Sequence, residues 1–234
     1  MRTVFISPCF NASPNLKHLI KSVQEQKNKN WIHVIIDDLS EDDTFSQAQQ
    51  LTENDERFTV VKNDEKKFAL RNIIEEARKY QNNVDDIIAV IDGDDQLCNE
   101  NSVDLLLNSY EKGSDITWTA HRWDINGMNI SKSMPDNVNP YQWLWSTSHL
   151  RTFRSSLLLE IDDKNFQDIS GNWFERGYDQ ALMLPLLYKT HNREYIDEVC
   201  YLYNINSVSV NDRDWAEMKQ ISTINFVRAR GFVE

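Results

Sequence analysis

Across the first 120 residues the apolar pattern keeps switching between two periods, and no other feature constrains the fold as strongly. Thr3 to Ser7 is a short β-rich run, after which Leu16, Leu19, Ile20 and Val23 fall at i, i+3, i+4 and i+7, the spacing of one helix face. Trp31 to Ile36 reads as a second strand, Asp42 to Leu51 as a helix with Ser40 as its candidate N-cap, and Arg57 to Val61 as a third strand. Leu70, Ile73, Ile74 and Ala77 mark the next helix, and Asp86 to Ile91 the fourth strand. Val103, Leu106, Leu107 and Tyr110 mark another helix, before a fifth strand from Asp115 to Ala120. This alternation predicts an α/β fold with a mostly parallel central sheet and helices on both faces. Ligands of such sheets sit outside the carboxyl ends of the strands.

The carboxylates of Asp37, Asp38, Asp92, Asp94 and Asp95 all fall at those ends. Asp92-Gly93-Asp94-Asp95 follows the apolar run Ile87 to Ile91 directly, so like charges crowd a sheet edge in a way that a divalent cation would relieve. Gly93 leaves the backbone free to turn, which lets the flanking carboxylates converge on one ion or on a diphosphate it carries. Taken alone, a plain Asp-Gly hairpin turn is an equal rival.

At 234 residues the chain suits a single domain of two lobes, 1–120 and 121–234. Its formal charge of -12 argues against a polyanion as main partner, although a local basic groove and a nucleic-acid acceptor stay open. Cys9, Cys98 and Cys200 are too few and too dispersed for a disulfide framework or a paired zinc site. Without a signal-like N-terminus or a stretch of about 18 apolar residues, the chain reads as cytoplasmic, with any membrane contact peripheral. There is no G-x-G-x-x-G, no glycine in Ser7-Pro8-Cys9-Phe10-Asn11, and Gln96 occupies the fifth position of the D-x-D run. Those absences disfavour dinucleotide dehydrogenases, nucleotidyltransferases and phosphatases of the D-x-D-x-[TV] type. Beyond residue 121 the pattern loosens into a Trp-rich stretch, then a helix from Asp179 to Tyr188 that Pro185 threatens to kink, and a β-like run from Glu194 to Tyr203.

Four segments taken together, Pro8-Cys9-Phe10-Asn11, Asp37-Asp38-Leu39-Ser40, Ala69-Leu70-Arg71-Asn72 and Asp92-Gly93-Asp94-Asp95, resemble in order and spacing the motifs of the family 2 glycosyltransferases. Those motifs are usually written P-x-[YF]-N, D-D-x-S, A-R-N and D-x-D-D, and the resemblance is specific over residues 3 to 120. It implies a GT-A fold, a nucleotide-binding αβα sandwich with a smaller acceptor-side lobe. Residues 1–120 would bind the nucleotide sugar, and 121–234 would hold the acceptor and the catalytic base. By position, Pro8, Phe10 and Asn11 would line the nucleoside pocket. Asp37 or Asp38 would bond the base or ribose, and Arg71 the base or phosphate. Asp92 and Gly93 would meet the ribose, with Asp94 as main ligand of a Mn²⁺ or Mg²⁺ ion and Asp92 as a further one. Asp179 falls where the family places its catalytic carboxylate, usually written E-D, although Tyr178 stands here for the glutamate.

The residues make chemical sense of that expectation. Hard oxygen donors suit Mg²⁺ or Mn²⁺, which neutralises a departing diphosphate, while a separate carboxylate takes the proton of an attacking hydroxyl. Each assignment has a structural rival: strand end and helix cap for Asp37 and Asp38, surface residue for Arg71, helix cap for Asp179. His149 is either a metal or phosphate ligand or a packing residue. Trp143, Trp145 and Trp173 either stack on an acceptor sugar or fill the core. The resulting expectation is a metal-dependent inverting transferase moving a sugar from a nucleotide-diphosphate donor, UDP-linked by preference, to a hydroxyl of a glycan or lipid-linked acceptor. Its alternatives are a catalytically silent nucleotide-sugar-binding module and, behind it, a nucleotidyltransferase.

Overall fold

The computed structural model describes residues 1–205 and 213–234. Strands β1 (Arg2–Cys9), β2 (Trp31–Asp37), β3 (Phe58–Lys62) and β4 (Asp86–Val90) alternate with helices α1 (Ser13–Gln24), α2 (Thr44–Thr52) and α3 (Phe68–Ala77). The two-residue β5 (Gln96–Leu97), α4 (Ser102–Glu111), β6 (Ile116–Trp123), β7 (Arg151–Arg154), α5 (Tyr178–Lys189), β8 (Arg193–Tyr203) and α6 (Arg213–Arg230) complete the order. The eight strands form one sheet in the order β3-β2-β1-β4-β7-β6-β8-β5. β3, β2, β1 and β4 pair in parallel, as do β6 and β8, while β7 and β5 run against their neighbours. The expected mostly parallel α/β sheet is therefore present, with both halves of the chain contributing strands to it.

Burial on both faces follows from the period-2 projection of side chains along a strand. Val4, Ile6, Ile88 and Val90 face α3 and α5, where they pack on Leu70, Ile73, Ile74 and Leu182. Phe5, Ile87, Ala89 and Ile91 face the other way, onto Leu16, Leu19, Ile20 and Val23 of α1 and Leu106 of α4. Each of those α1 residues is no more than 1% exposed and contributes about 1.5–3 kcal/mol by leaving water.

Three local expectations change. Ser40 does not cap α2, which has Asp43 at its N-cap position without a side-chain bond; the Ser40 hydroxyl instead accepts from the backbone N–H of Asn11. α5 runs through Pro185, because every residue from Gln180 to Leu187 is buried and that packing offsets the roughly 3 kcal/mol cost of an interior proline. The loosely patterned region after β6 supplies β7, a short antiparallel strand set between β4 and β6. Among the described residues no helix is long and apolar enough to cross a membrane.

Candidate active site

In the order β2-β1-β4, the connections leaving β1 and β4 diverge, and a crevice opens outside the carboxyl ends of these strands. Asp92 to Asp95 form a tight turn there, closed by the Asp95 N–H donating to the Asp92 carbonyl at 3.0 Å. The ends of such a turn converge, while its two middle residues form the corner. Asp92 and Asp95 are those ends, and the Tyr201 hydroxyl joins them. It accepts from the Asp92 N–H at 3.0 Å and donates to the Asp95 carboxylate at 2.8 Å. Gly93 sits against the end of β1, where a Cβ would lie 2.7 Å from Cys9 Sγ and 3.1 Å from the Pro8 carbonyl oxygen. Because part of that obstacle is backbone, Gly93→Ala is expected to shift the turn. It should lower the melting midpoint by several degrees, a cost of about 1–3 kcal/mol for overpacking, and an unchanged midpoint would contradict the close approach.

His149 lies beside this turn, stacked between the rings of Tyr201 (4.6 Å between centroids) and Tyr203 (4.9 Å). Burial, helped by Arg151 and His121, pushes its pKa well below the usual histidine range, so the imidazole is neutral. Its Nδ1 is buried, accepts no hydrogen bond from described residues, and stands 3.9 Å from Asp92 Oδ2. One ligand atom each from Asp92, Asp95 and His149 lies within 4.8 Å of the others. Burial, then the charges of Asp92 and Asp94, push the Asp95 carboxyl well above its ordinary range. An orphaned neutral imidazole nitrogen beside crowded carboxylates is a donor set that fits a divalent cation. Asp94, at the turn's corner, lies outside this group and, with Asp95, lines a neighbouring hollow alongside Asn15, His18 and Asp124.

Asp92 and His149 open into a cleft of about 370 Å³, which brings them together with Asp38, Arg151, Tyr178 and Asp179. Asp179 occupies the first turn of α5, behind Gly177, whose φ of 66° is the left-handed region. A Cβ at 177 would also meet the Gln220 carbonyl oxygen of α6 at 3.0 Å. Burial raises the Asp179 pKa above the usual carboxylate value, and the nearby Arg151 cation opposes that rise.

On one wall, Pro8 and Phe10 line the cleft. Lys66 Nζ sits 3.0 Å above the Phe10 ring centroid and donates to the Asp38 carbonyl at 2.9 Å. The Asp38 carboxylate accepts from the N–H groups of Lys67 (2.8 Å) and Phe68 (2.9 Å) and from Asn63 (2.8 Å). Burial raises its pKa, but those bonds outweigh the burial and hold it below the usual range. Asp38 thus fastens the loop ahead of α3, whereas both oxygens of Asp37 are buried and unpartnered among described residues.

Other expected residues stand apart from the cleft. Asn11 uses its side-chain oxygen to accept from the Glu41 N–H at 2.8 Å. Arg71 is held by Glu65 (2.8 Å) and Glu75 (2.7 Å). Trp143 and Trp145 pack against the hydrophobic core, and Trp173 stacks on Phe166. Sequence gives no role to Lys66, Arg151 and Tyr201, and places Asp95 at the strand end without a role as ligand. Only the i, i+2 spacing of Tyr201 and Tyr203 on one strand face signals their shared direction.

An α/β sheet whose carboxyl ends carry clustered acids, with a separate carboxylate at a helix start in the same cleft, is the arrangement expected of a GT-A glycosyltransferase. The comparisons agree. Residues 4–182 match the family described as glycosyl transferase family 2, and the chain belongs to that family. It is 24% identical over 236 residues to TuaG of Bacillus subtilis (strain 168), named as a glycosyltransferase of teichuronic acid biosynthesis, covering 96% of this chain and 90% of that one. Among solved structures it is similar to S. aureus TarS 1-349 in complex with UDP, with a TM-score of 0.72 at 15% identity over 100% of this chain and 67% of that one. It is also similar to the mannosyltransferase PcManGT from Pyrobaculum calidifontis in complex with GDP-Man and Mn²⁺. There the TM-score is 0.60 at 15% identity over 96% of this chain and 64% of that one.

Proposed function

We propose that this glycosyltransferase is metal-dependent and inverting, and that it takes its sugar from a nucleotide-diphosphate donor, UDP-linked by preference, to a hydroxyl of a glycan or lipid-linked acceptor. The observation that carries this reading is the shared cleft of Asp38, Asp92 and Asp179. TarS has been solved with UDP and with UDP-GlcNAc, and PcManGT with GDP-Man and Mn²⁺, which supports a nucleotide-sugar donor and a divalent ion.

In this mechanism Asp92, Asp95 and His149 would hold the ion, which when bound would supply Lewis-acid neutralisation of the departing diphosphate. Phe10 and Lys66 flank the nucleoside. Of the acidic pair, Asp38 lines the cleft and keeps the wall in shape, while Asp37 lies buried beside it with both acceptors unused and would meet a donor hydroxyl only if the wall yields. Asp179 accepts the proton of the acceptor hydroxyl as it attacks from the face opposite the leaving group. Tyr178 in place of the family's glutamate leaves Asp179 as the sole carboxylate of that pair.

A thermal-shift screen of nucleoside diphosphates and nucleotide sugars, with and without Mn²⁺, tests the donor. A ligand at about 100 times its dissociation constant adds about 2.7 kcal/mol, and only the true donor and its own nucleoside diphosphate should do so in a Mn²⁺-dependent way. A silent binding module would give the same shift without turnover. The pH profile tests the base. Only ionised Asp179 accepts a proton, so kcat should fall as pH drops through its pKa. Because burial raises that pKa, the acid limb should lie above the range of an exposed aspartate. A flat profile down to pH ~4 would remove Asp179 from the role.

A further inference from the structure

Three elements distant in sequence meet in one hydrogen-bonded knot on the cleft floor. Asp92 lies just beyond β4, Arg151 opens β7 and Tyr178 opens α5. The antiparallel register pairs Arg151 with Val90, so its side chain reaches the carboxylate two residues further along. Arg151 Nη2 donates to Asp92 Oδ2 at 3.3 Å and to the Tyr178 hydroxyl at 2.6 Å. That hydroxyl in turn donates to the other carboxylate oxygen of Asp92. Arg151 is 1% exposed. A cation so desolvated is tolerable only with its partners in place, which makes the knot stiff.

Tyr178 immediately precedes Asp179, and the two share the first turn of α5. The knot therefore ties the base-bearing turn to the carboxylate on the donor side of the cleft. The Tyr178 hydroxyl already donates one bond and accepts another, so it is committed to this link. A glutamate at 178 would set a second negative charge beside Asp92, whereas tyrosine makes the tie without adding charge.

We propose that Arg151 and Tyr178 are positioning residues, which lock the start of α5 onto Asp92 and so set where Asp179 stands relative to the bound donor. The inference rests on the reading of Asp179 as the base. Reacting groups tolerate little misplacement, so a loosened lock should slow the chemical step while leaving the donor pocket intact.

Tyr178→Phe tests this with little risk to folding, because it keeps the ring and its contact with the Arg151 guanidinium, 5.0 Å from the ring centroid. The lock predicts kcat lower by about 10- to 100-fold, with donor KM and calorimetric nucleotide affinity held within about threefold. Arg151→Lys should give a similar split, since both bonds leave Nη2, which lies one bond beyond the reach of a lysine ammonium. The double variant should be no more than about threefold slower than the worse single variant, because the two residues act as one unit. Backbone amide exchange at Gln180 and Ala181 should also quicken in Tyr178→Phe, by about tenfold for one lost charge-assisted bond. Wild-type kcat in Tyr178→Phe, or a loss of nucleotide affinity equal to the loss of kcat, would overturn the proposal, as would unchanged exchange. Exchange needs no turnover, so failure of the base assignment and failure of the lock give different results.

Discussion

Asp179→Asn is expected to bind the nucleotide sugar within about threefold of the wild type and to turn it over about a thousandfold more slowly, within the usual range for a removed general base. The substitution keeps the size and shape of the side chain while removing its charge and its capacity to accept a proton. Asp179 sits in the first turn of α5, across the cleft from the Asp92–Asp95 turn. Donor contacts in the proposed mechanism come from β1, β2, β4 and the loop ahead of α3, none of which the substitution touches. Calorimetry with the nucleoside diphosphate and steady-state kinetics with the donor separate the two effects. A variant that loses affinity as much as rate would mean that Asp179 holds the donor, and the assignment as base would fail.

The second large effect is expected at the turn. Asp92→Asn and His149→Ala should each weaken the Mn²⁺-dependent part of nucleotide binding by about a hundredfold, a loss of about 2.7 kcal/mol, while leaving the weaker Mn²⁺-independent binding in place. The reasoning is geometric. Asp92 and Asp95 are the converging ends of a turn, and the neutral imidazole of His149 faces Asp92 with an unused nitrogen. Asp94 occupies the corner and lines the adjoining hollow, so Asp94→Ala should reduce Mn²⁺-dependent affinity far less than Asp92→Asn. Titrations of nucleoside diphosphate at fixed Mn²⁺, repeated with chelator, read this directly. A larger loss in Asp94→Ala than in either of the other two would return the metal to the ligand that motif position alone suggests.

That contrast shows where the sequence stopped being informative. The strands of the first half are legible because buried parallel strands need continuous apolar runs such as Ile87 to Ile91, and the helices because Leu16, Leu19, Ile20 and Val23 keep a single face. The motif residues are legible for the same reason, since they stand where those runs end. Spacing does not say which carboxylate of Asp92-Gly93-Asp94-Asp95 turns inward. That is decided by Tyr201, more than a hundred residues later, whose hydroxyl reaches both ends of the turn. β7 was hidden because Arg151–Arg154 is four residues long with a charge at each end, and its place depends wholly on β4 and β6. α6 was hidden for a related reason. Its buried positions Ala216, Thr223 and Val227 are sparse, while Trp215, Met218 and Ile221 are exposed, so no apolar stripe stands out. For Arg71 and the tryptophans residue type alone invites a binding role, and spacing does not reveal the contacts they make in the fold. Glu65 and Glu75 engage the first, and the core takes Trp143, Trp145 and Trp173.

The most direct test is a crystal of the protein soaked with Mn²⁺ and a nucleoside diphosphate and measured for anomalous scattering. The account predicts one manganese peak within coordinating distance of Asp92, Asp95 and His149, with the diphosphate against it and the nucleoside along the wall that Phe10 and Lys66 form. A manganese peak on Asp94 and Asp124 in the neighbouring hollow, or nucleotide density away from the cleft that holds Asp179, would contradict it.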